Sequence, residues 1–202
     1  MLFPERMTMK ELTLHLLSGG IDSTVLLYDL LKQGRTVECI GFYYGQKHVR
    51  ELDFARATCR KLGLRYDVVG LSNVFSGCFL TNDGEGWVVP NRNAVLLNIA
   101  VAIAKSRGAR TVTFGANRSD RDTFPDCTRT FVEALNYSIS CAGIPVVVEA
   151  PYLDKFKHLI VALGRGLGVD MGSTWSCYTG SNEPCGECLA CQERAKAIKG
   201  VS

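Results

Sequence analysis

Ser18-Gly19-Gly20-Ile21-Asp22-Ser23 follows a short apolar run and precedes a stretch with helical spacing. A turn of this kind can grip an anion. Its two glycines remove the Cβ atoms that would keep backbone N–H groups away from phosphate oxygens. A helix starting here presents unpaired N–H donors and the positive end of its dipole. Ser18 and Ser23 add hydroxyl donors, and Asp22 or Ser23 can cap the helix. The turn has neither the Gly-Lys-Ser/Thr of a Walker A loop nor the Gly-x-Gly-x-x-Gly pattern. Taken alone, it is equally a plain strand-to-helix turn with a good cap.

A second group of side chains suits a metal. Five of the nine cysteines (Cys39, Cys59, Cys78, Cys127 and Cys141) are scattered singly, but Cys177, Cys185, Cys188 and Cys191 crowd into fifteen consecutive positions. Four thiolates can surround Zn²⁺ at about 2.3 Å each and leave no place for water, so a metal held this way is structural. It would fasten an otherwise irregular tail to the domain. Free thiols, a disulfide pair or an iron–sulfur cluster would use the same residues.

These groups need a scaffold, and the pattern around them is that of a doubly wound α/β sheet. Residues 12–17 read as a buried strand that ends at the Ser-Gly-Gly turn. Val25, Leu26, Leu30 and Leu31 recur at helical spacing over 22–33, and Gly34 stops them. Further strands are expected at 37–44, 65–69, 111–115 and 146–149, with helices at 49–62, 91–105, 128–141, 156–167 and 189–198. The stretch 71–90 has no sustained period and reads as a loop over the site. The expected fold is therefore one domain, 1–202, with a mainly parallel five-stranded sheet and a metal-binding segment at 175–198. In such sheets ligands bind at the carboxyl ends of the strands, where the Ser-Gly-Gly turn lies.

Composition narrows the function classes. The 202 residues are 47% hydrophobic and 21% charged, as in ordinary globular chains. No apolar run is long enough for a membrane span, and the first ten residues lack a signal core, so the expected location is the cytoplasm. The formal charge of +3 suits a small anionic ligand and is far from the basic stripe of a nucleic-acid binder.

The segments LSGGIDST (17–24), YGQKH (44–48), VPNRN (89–93), FPDCTRTF (124–131) and LGVDMGSTWSCYTGSNEPCGECLACQERAK (167–196) carry a resemblance. Together they resemble the 7-cyano-7-deazaguanine synthase family of the queuosine pathway, a branch of the PP-loop ATP pyrophosphatase superfamily. The resemblance implies an ATP-dependent ligase that converts 7-carboxy-7-deazaguanine and ammonia to the nitrile, by way of an adenylated acid and an amide. It implies ATP on Leu17, Ser18, Gly19, Gly20, Ile21, Asp22, Ser23 and Thr24, with Mg²⁺ across the phosphates and Asp22 a direct or water-mediated partner. It implies structural Zn²⁺ on Cys177, Cys185, Cys188 and Cys191, and a homodimer.

Among other candidates, Arg92 would hold the substrate carboxylate or a phosphate through its forked donors, and Lys157 would neutralise phosphate charge. Asp120 and Asp126 would bind the base edge or a metal, and Tyr44, Gln46 and His48 would face the crevice. Each also has a plain structural reading: Arg92 in an ion pair, His48 as a helix cap, Asp126 as the cap of the helix that follows it. Asn91, Phe156 and the segment before Pro125 depart from the family pattern. They leave a synthase that stops at the amide as the alternative. More distant rivals are a PP-loop tRNA thiolase using Cys127 and a non-catalytic zinc-ribbon module.

Overall fold

The computed structural model describes residues 11–71, 74–75, 89–121, 123–179 and 181–200. Five strands, Leu12–Leu16 (β1), Thr36–Tyr43 (β2), Tyr66–Gly70 (β3), Thr111–Thr113 (β4) and Val147–Glu149 (β5), pair in the order β3-β2-β1-β4-β5. Every pairing is parallel, from Leu12 opposite Thr36 to Thr113 opposite Glu149. Parallel strands need crossovers, and the helices supply them. These are Ile21–Lys32 (α1), Glu51–Leu62 (α2), Arg92–Arg107 (α3), Arg129–Cys141 (α4), Lys157–Gly166 (α5) and Leu189–Lys199 (α6).

Both faces of the sheet are covered, which is why its strands read as continuous apolar runs rather than alternating ones. Leu14, Ile40, Val112 and Val148 bury one face under Leu97 and Val101 of α3 and Leu135 and Ile139 of α4. Val37 and Cys39 bury the other under Val25 and Leu26 of α1, Ala55 of α2, Ile160 of α5 and Ala197 of α6. A third, smaller cluster joins Trp175 to Cys177, Cys188 and Cys191. Chain order reverses between β1 and β4, so the crevice of this sheet opens at the end of β1.

The expected elements are all present, with ends displaced by a residue or two. Strand β4 ends at Thr113 rather than Gly115, and 114–116 line a cavity. The 3.6-residue pattern of α3 continues to Arg107 before Gly108 closes it in the left-handed conformation. The covering loop expected at 71–90 lies largely outside the described residues.

One buried polar residue ties these layers together at the start of α1. His15 on β1 is fully buried; its Nδ1 lies 2.8 Å from Thr113 Oγ1 on β4 and its Nε2 2.9 Å from the Ser23 carbonyl of α1. The carbonyl can only accept, so Nε2 carries the proton and Nδ1 accepts from the threonine hydroxyl. Burial lowers the imidazole's pKa from 6.5 to about 4. The folded state thus refuses a proton that the unfolded chain takes up, and stability present above pH 6.5 is lost as the pH falls toward 4. The contribution of His15 is on the order of 3 kcal/mol. Denaturant midpoints across this window should fall steeply for the wild type and less so for His15→Gln. Equal slopes would remove His15 from the account.

Candidate functional site

The turn after β1 is built by backbone contacts on three sides. Gly19 adopts φ +84°, and a Cβ on it would lie 2.1 Å from the Glu51 carbonyl at the start of α2. Its own carbonyl accepts the Trp175 N–H at 2.8 Å. A Cβ on Gly115 would meet the Ser23 nitrogen at 2.8 Å. Helix α1 begins at Ile21 with Gly20 as its cap and no side-chain capping bond. The expectation that Asp22 or Ser23 caps it is therefore corrected. Ser23 Oγ instead donates back to the Gly20 carbonyl at 3.3 Å and lies 3.1 Å from Ser18 Oγ. The first-turn donors stay available to a ligand.

Beside the turn lies a cavity of about 260 Å³. Ser18, Gly20, Asp22 and Ser23 line one part, Phe42, Tyr44, His48 and Glu51 another, and Arg92, Asn93, Asp120, Cys127 and Tyr178 a third. Asp22 Oδ2 pairs with Lys157 Nζ at 3.2 Å, while its Oδ1 is buried with no hydrogen-bond partner among the described residues. An orphaned carboxylate oxygen beside free helix-start donors is what a cation bridging phosphates would satisfy. The Asp22 carboxylate holds Lys157 above the usual lysine range. Burial raises Asp120 to about 6, opposed by Lys157 and reinforced by Asp22. Its carboxylate accepts Asn117 Nδ2 at 2.8 Å.

On the other wall, burial lifts Glu51 to about 8, against the pull of Gln46 and Arg92. Burial and the Arg92 charge lower His48 to about 4. Arg92 donates to the Tyr44 hydroxyl at 3.3 Å. Cys127 sits 3.4 Å from Asn93 Nδ2, and burial pushes its thiol up to about 12. It is held as a thiol, a poor state for a nucleophile.

The four C-terminal thiols converge, all sulfurs lying within 4.8 Å of one another. Tetrahedral thiolate coordination of Zn²⁺ places sulfurs about 3.8 Å apart, so a small inward movement closes the set. Gly186, at φ +77°, lets the chain between Cys185 and Cys188 turn sharply. The Cys185 and Cys188 N–H groups donate to the sulfurs of Cys177 and Cys185 at 3.4 and 3.3 Å. Such donors favour thiolate over thiol, as a metal requires. The cluster is coupled to the turn through Trp175, whose Nε1–H donates to the Cys177 carbonyl at 2.9 Å.

Residues 12–202 match the sequence profile of the family described as "Queuosine biosynthesis protein QueC". The chain belongs to the QueC family. Within it, the chain is 43% identical to the "7-cyano-7-deazaguanine synthase" of Caldicellulosiruptor bescii, over 92% of this chain and 91% of that one. It is 39% identical to the enzyme of the same name from Alteromonas mediterranea, over 95% of each. Among solved structures, NMN synthetase from Francisella tularensis aligns with a TM-score of 0.53 at 15% identity, covering 96% of this chain and 79% of that one. At that identity the likeness concerns the fold alone, which is the parallel PP-loop type.

Against this QueC framework, the expected site residues separate into two groups. Leu17, Ser18, Gly20, Asp22, Ser23, Tyr44, His48, Arg92 and Asp120 line the cavity, and Lys157 reaches it through Asp22. Ile21 and Thr24 are buried in the start of α1, and Gly19 forms the back of the turn. Gln46 and Asp126 are not in the lining. The Gln46 amide takes the Tyr44 N–H at 2.8 Å and donates to the Phe42 carbonyl at 2.9 Å, because the chain leaving β2 needs those groups satisfied. Asp126 accepts the Asn93 N–H at 3.1 Å, so it caps α3 rather than the helix that follows it, whose cap is Thr128. Glu51 and Tyr178 were missed. Helical spacing places Glu51 on a polar first turn, and nothing local says that the turn faces a cavity.

The four-thiolate arrangement predicts one tightly bound metal per chain. Cys188→Ser should lose it by elemental analysis and melt about 10 °C lower, as a loss of ~3 kcal/mol does at this size. Because Trp175 joins the cluster to Gly19, proteolysis near residue 19 should also quicken. Wild-type metal content in the variant would refute the arrangement.

Proposed function

We propose that this chain is a 7-cyano-7-deazaguanine synthase, making the nitrile from 7-carboxy-7-deazaguanine, ammonia and two ATP-driven activations. One observation carries the reading: the Ser18–Ser23 turn opens into the same cavity as Arg92 and Tyr178, in a chain 43% identical to an enzyme of that name. A carboxylate is a poor electrophile, and ATP supplies an adenylyl group that makes its oxygen a leaving group. The protein's task is then to align two anions and spread their charge.

In this reading the N–H groups of the Gly19–Asp22 turn and the hydroxyls of Ser18 and Ser23 cradle the phosphates. Lys157 offsets the charge that develops on them, and Asp22 Oδ1 is the oxygen suited to Mg²⁺. Arg92 can reach a carboxylate with its forked donors while Tyr44 fixes its orientation. Asp120, raised to about 6, can accept a hydrogen bond from the base edge as carboxylate or donate one as acid. Zn²⁺ on the four cysteines closes the tail and leaves no coordination position for chemistry. Phe156, one of the departures from the family pattern, is 44% exposed and stacks on His158, away from the cavity. Its substitution therefore leaves the cavity wall intact.

Purified protein given ATP, Mg²⁺, ammonium and 7-carboxy-7-deazaguanine should yield the nitrile by mass spectrometry. An amide that never dehydrates would establish the shorter reaction instead, and no acid-dependent release of pyrophosphate would sink both. Asp22→Asn should lower turnover by about 100-fold, the size expected when a charge aimed at the reacting phosphates is removed, while the melting profile stays cooperative. Unchanged turnover in Asp22→Asn would remove the turn from catalysis.

A further inference from the structure

Making an amide and then a nitrile from ammonia requires protons to leave nitrogen, and none of the roles assigned above takes them. Glu51 stands at the first residue of α2, directly behind Gly19, and lines the same cavity as Ser18, Asp22 and Arg92. Its Oε1 accepts Gln46 Nε2 at 3.3 Å and lies 3.5 Å from His48 Nε2. No hydrogen bond from a described residue reaches its Oε2. His48 lines the cavity too; it is only 5% exposed, and its Nδ1 has no hydrogen-bond partner among the described residues. Two polar atoms with unused capacity thus flank one end of a cavity whose other end is built for anions.

We propose that Glu51, oriented by Gln46 and backed by His48, is the catalytic base that takes protons from nitrogen in the amide- and nitrile-forming steps. This rests on the function proposed above. In the first step the ammonia nitrogen bonds to the acyl carbon and the C–O bond to AMP breaks. The electron pair leaves on the AMP oxygen, and one N–H proton passes to Glu51. In the second step the amide oxygen displaces pyrophosphate from another ATP. The amide oxygen is now bonded to the AMP phosphorus, and the amide's own C–O bond then breaks, again with its electron pair leaving on AMP, as nitrogen gives up its two remaining protons and the C≡N bond forms. Each proton goes to Glu51 and on to solvent.

The electrostatics suit this task. Gln46 and His48 face Glu51 from the chain after β2, Arg92 from α3, Tyr66 from β3 and Tyr178 from the C-terminal segment. Burial outweighs the Gln46 hydrogen bond and the Arg92 charge and sets the carboxyl at about 8. A base in that range takes a proton from an ammonium nitrogen and still releases it to water. Lowered to about 4, His48 is neutral at working pH and places no second charge beside the carboxyl.

Hydroxylamine separates adenylation from proton removal, because it attacks an acyl-adenylate without help from a base. The wild type with ATP, Mg²⁺ and the deazaguanine acid should give the hydroxamate with hydroxylamine and the amide with ammonium. Absence of hydroxamate in the wild type would count against the proposed function itself, not against Glu51. Glu51→Gln should form hydroxamate within a few-fold of the wild type and lose amide formation by about 100-fold or more. Glu51→Asp, which keeps a carboxylate, should retain more of the amide rate than Glu51→Gln. Wild-type amide formation by Glu51→Gln, parallel loss of hydroxamate and amide, or equal loss in the two variants would each overturn the role.

Discussion

The site depends on how closely α2 approaches the turn after β1. At Gly19 the Glu51 carbonyl occupies the place of a Cβ, and the Trp175 N–H holds the Gly19 carbonyl from another direction. Backbone thus meets backbone, with little freedom for rotamers or solvent to adjust the fit. Three consequences follow from this one approach. The donors at the start of α1 are fixed in space before any ligand arrives. Glu51 is carried to the cavity edge by the same helix turn that braces Gly19. The cysteine segment is joined to the turn after β1 across more than 150 residues of chain.

Charges are then set into this rigid frame in unequal surroundings. Lys157 and Asp22 are paired and partly buried, at 19% and 16% exposure, and pairing is what makes such burial tolerable. Glu51 also feels the Gln46 hydrogen bond and the Arg92 charge, but burial outweighs both in its titration. Lys157 stands beside Asp22 and not beside Glu51, a difference in surroundings set by α5 and α2 rather than by residue type.

Much of this was legible in the sequence. Strand runs, helix periods and the closing glycine Gly34 were local signals, and the elements they mark are present. The turn and the four cysteines were legible because their chemistry depends on neighbours close in the chain. What failed to show were meetings between distant elements. Gln46 looked like a crevice residue because it follows β2, yet its amide serves the backbone two and four residues away. Asp126 looked like a local cap and serves α3, which precedes it by 33 positions. His15 carried no sign that Thr113 and the Ser23 carbonyl would meet its two nitrogens.

Gly115 shows what such backbone contacts mean for the history of a sequence. The atom that bars a larger residue there is the Ser23 nitrogen, 2.8 Å from where a Cβ would stand. Where a side chain is the obstacle, a second substitution can trim it and reopen the position. A main-chain nitrogen belongs to every amino acid, so no compensatory change at residue 23 can relieve the clash. The position is closed to drift whatever its neighbours become, and a lineage could replace this glycine only by rebuilding the path of the chain.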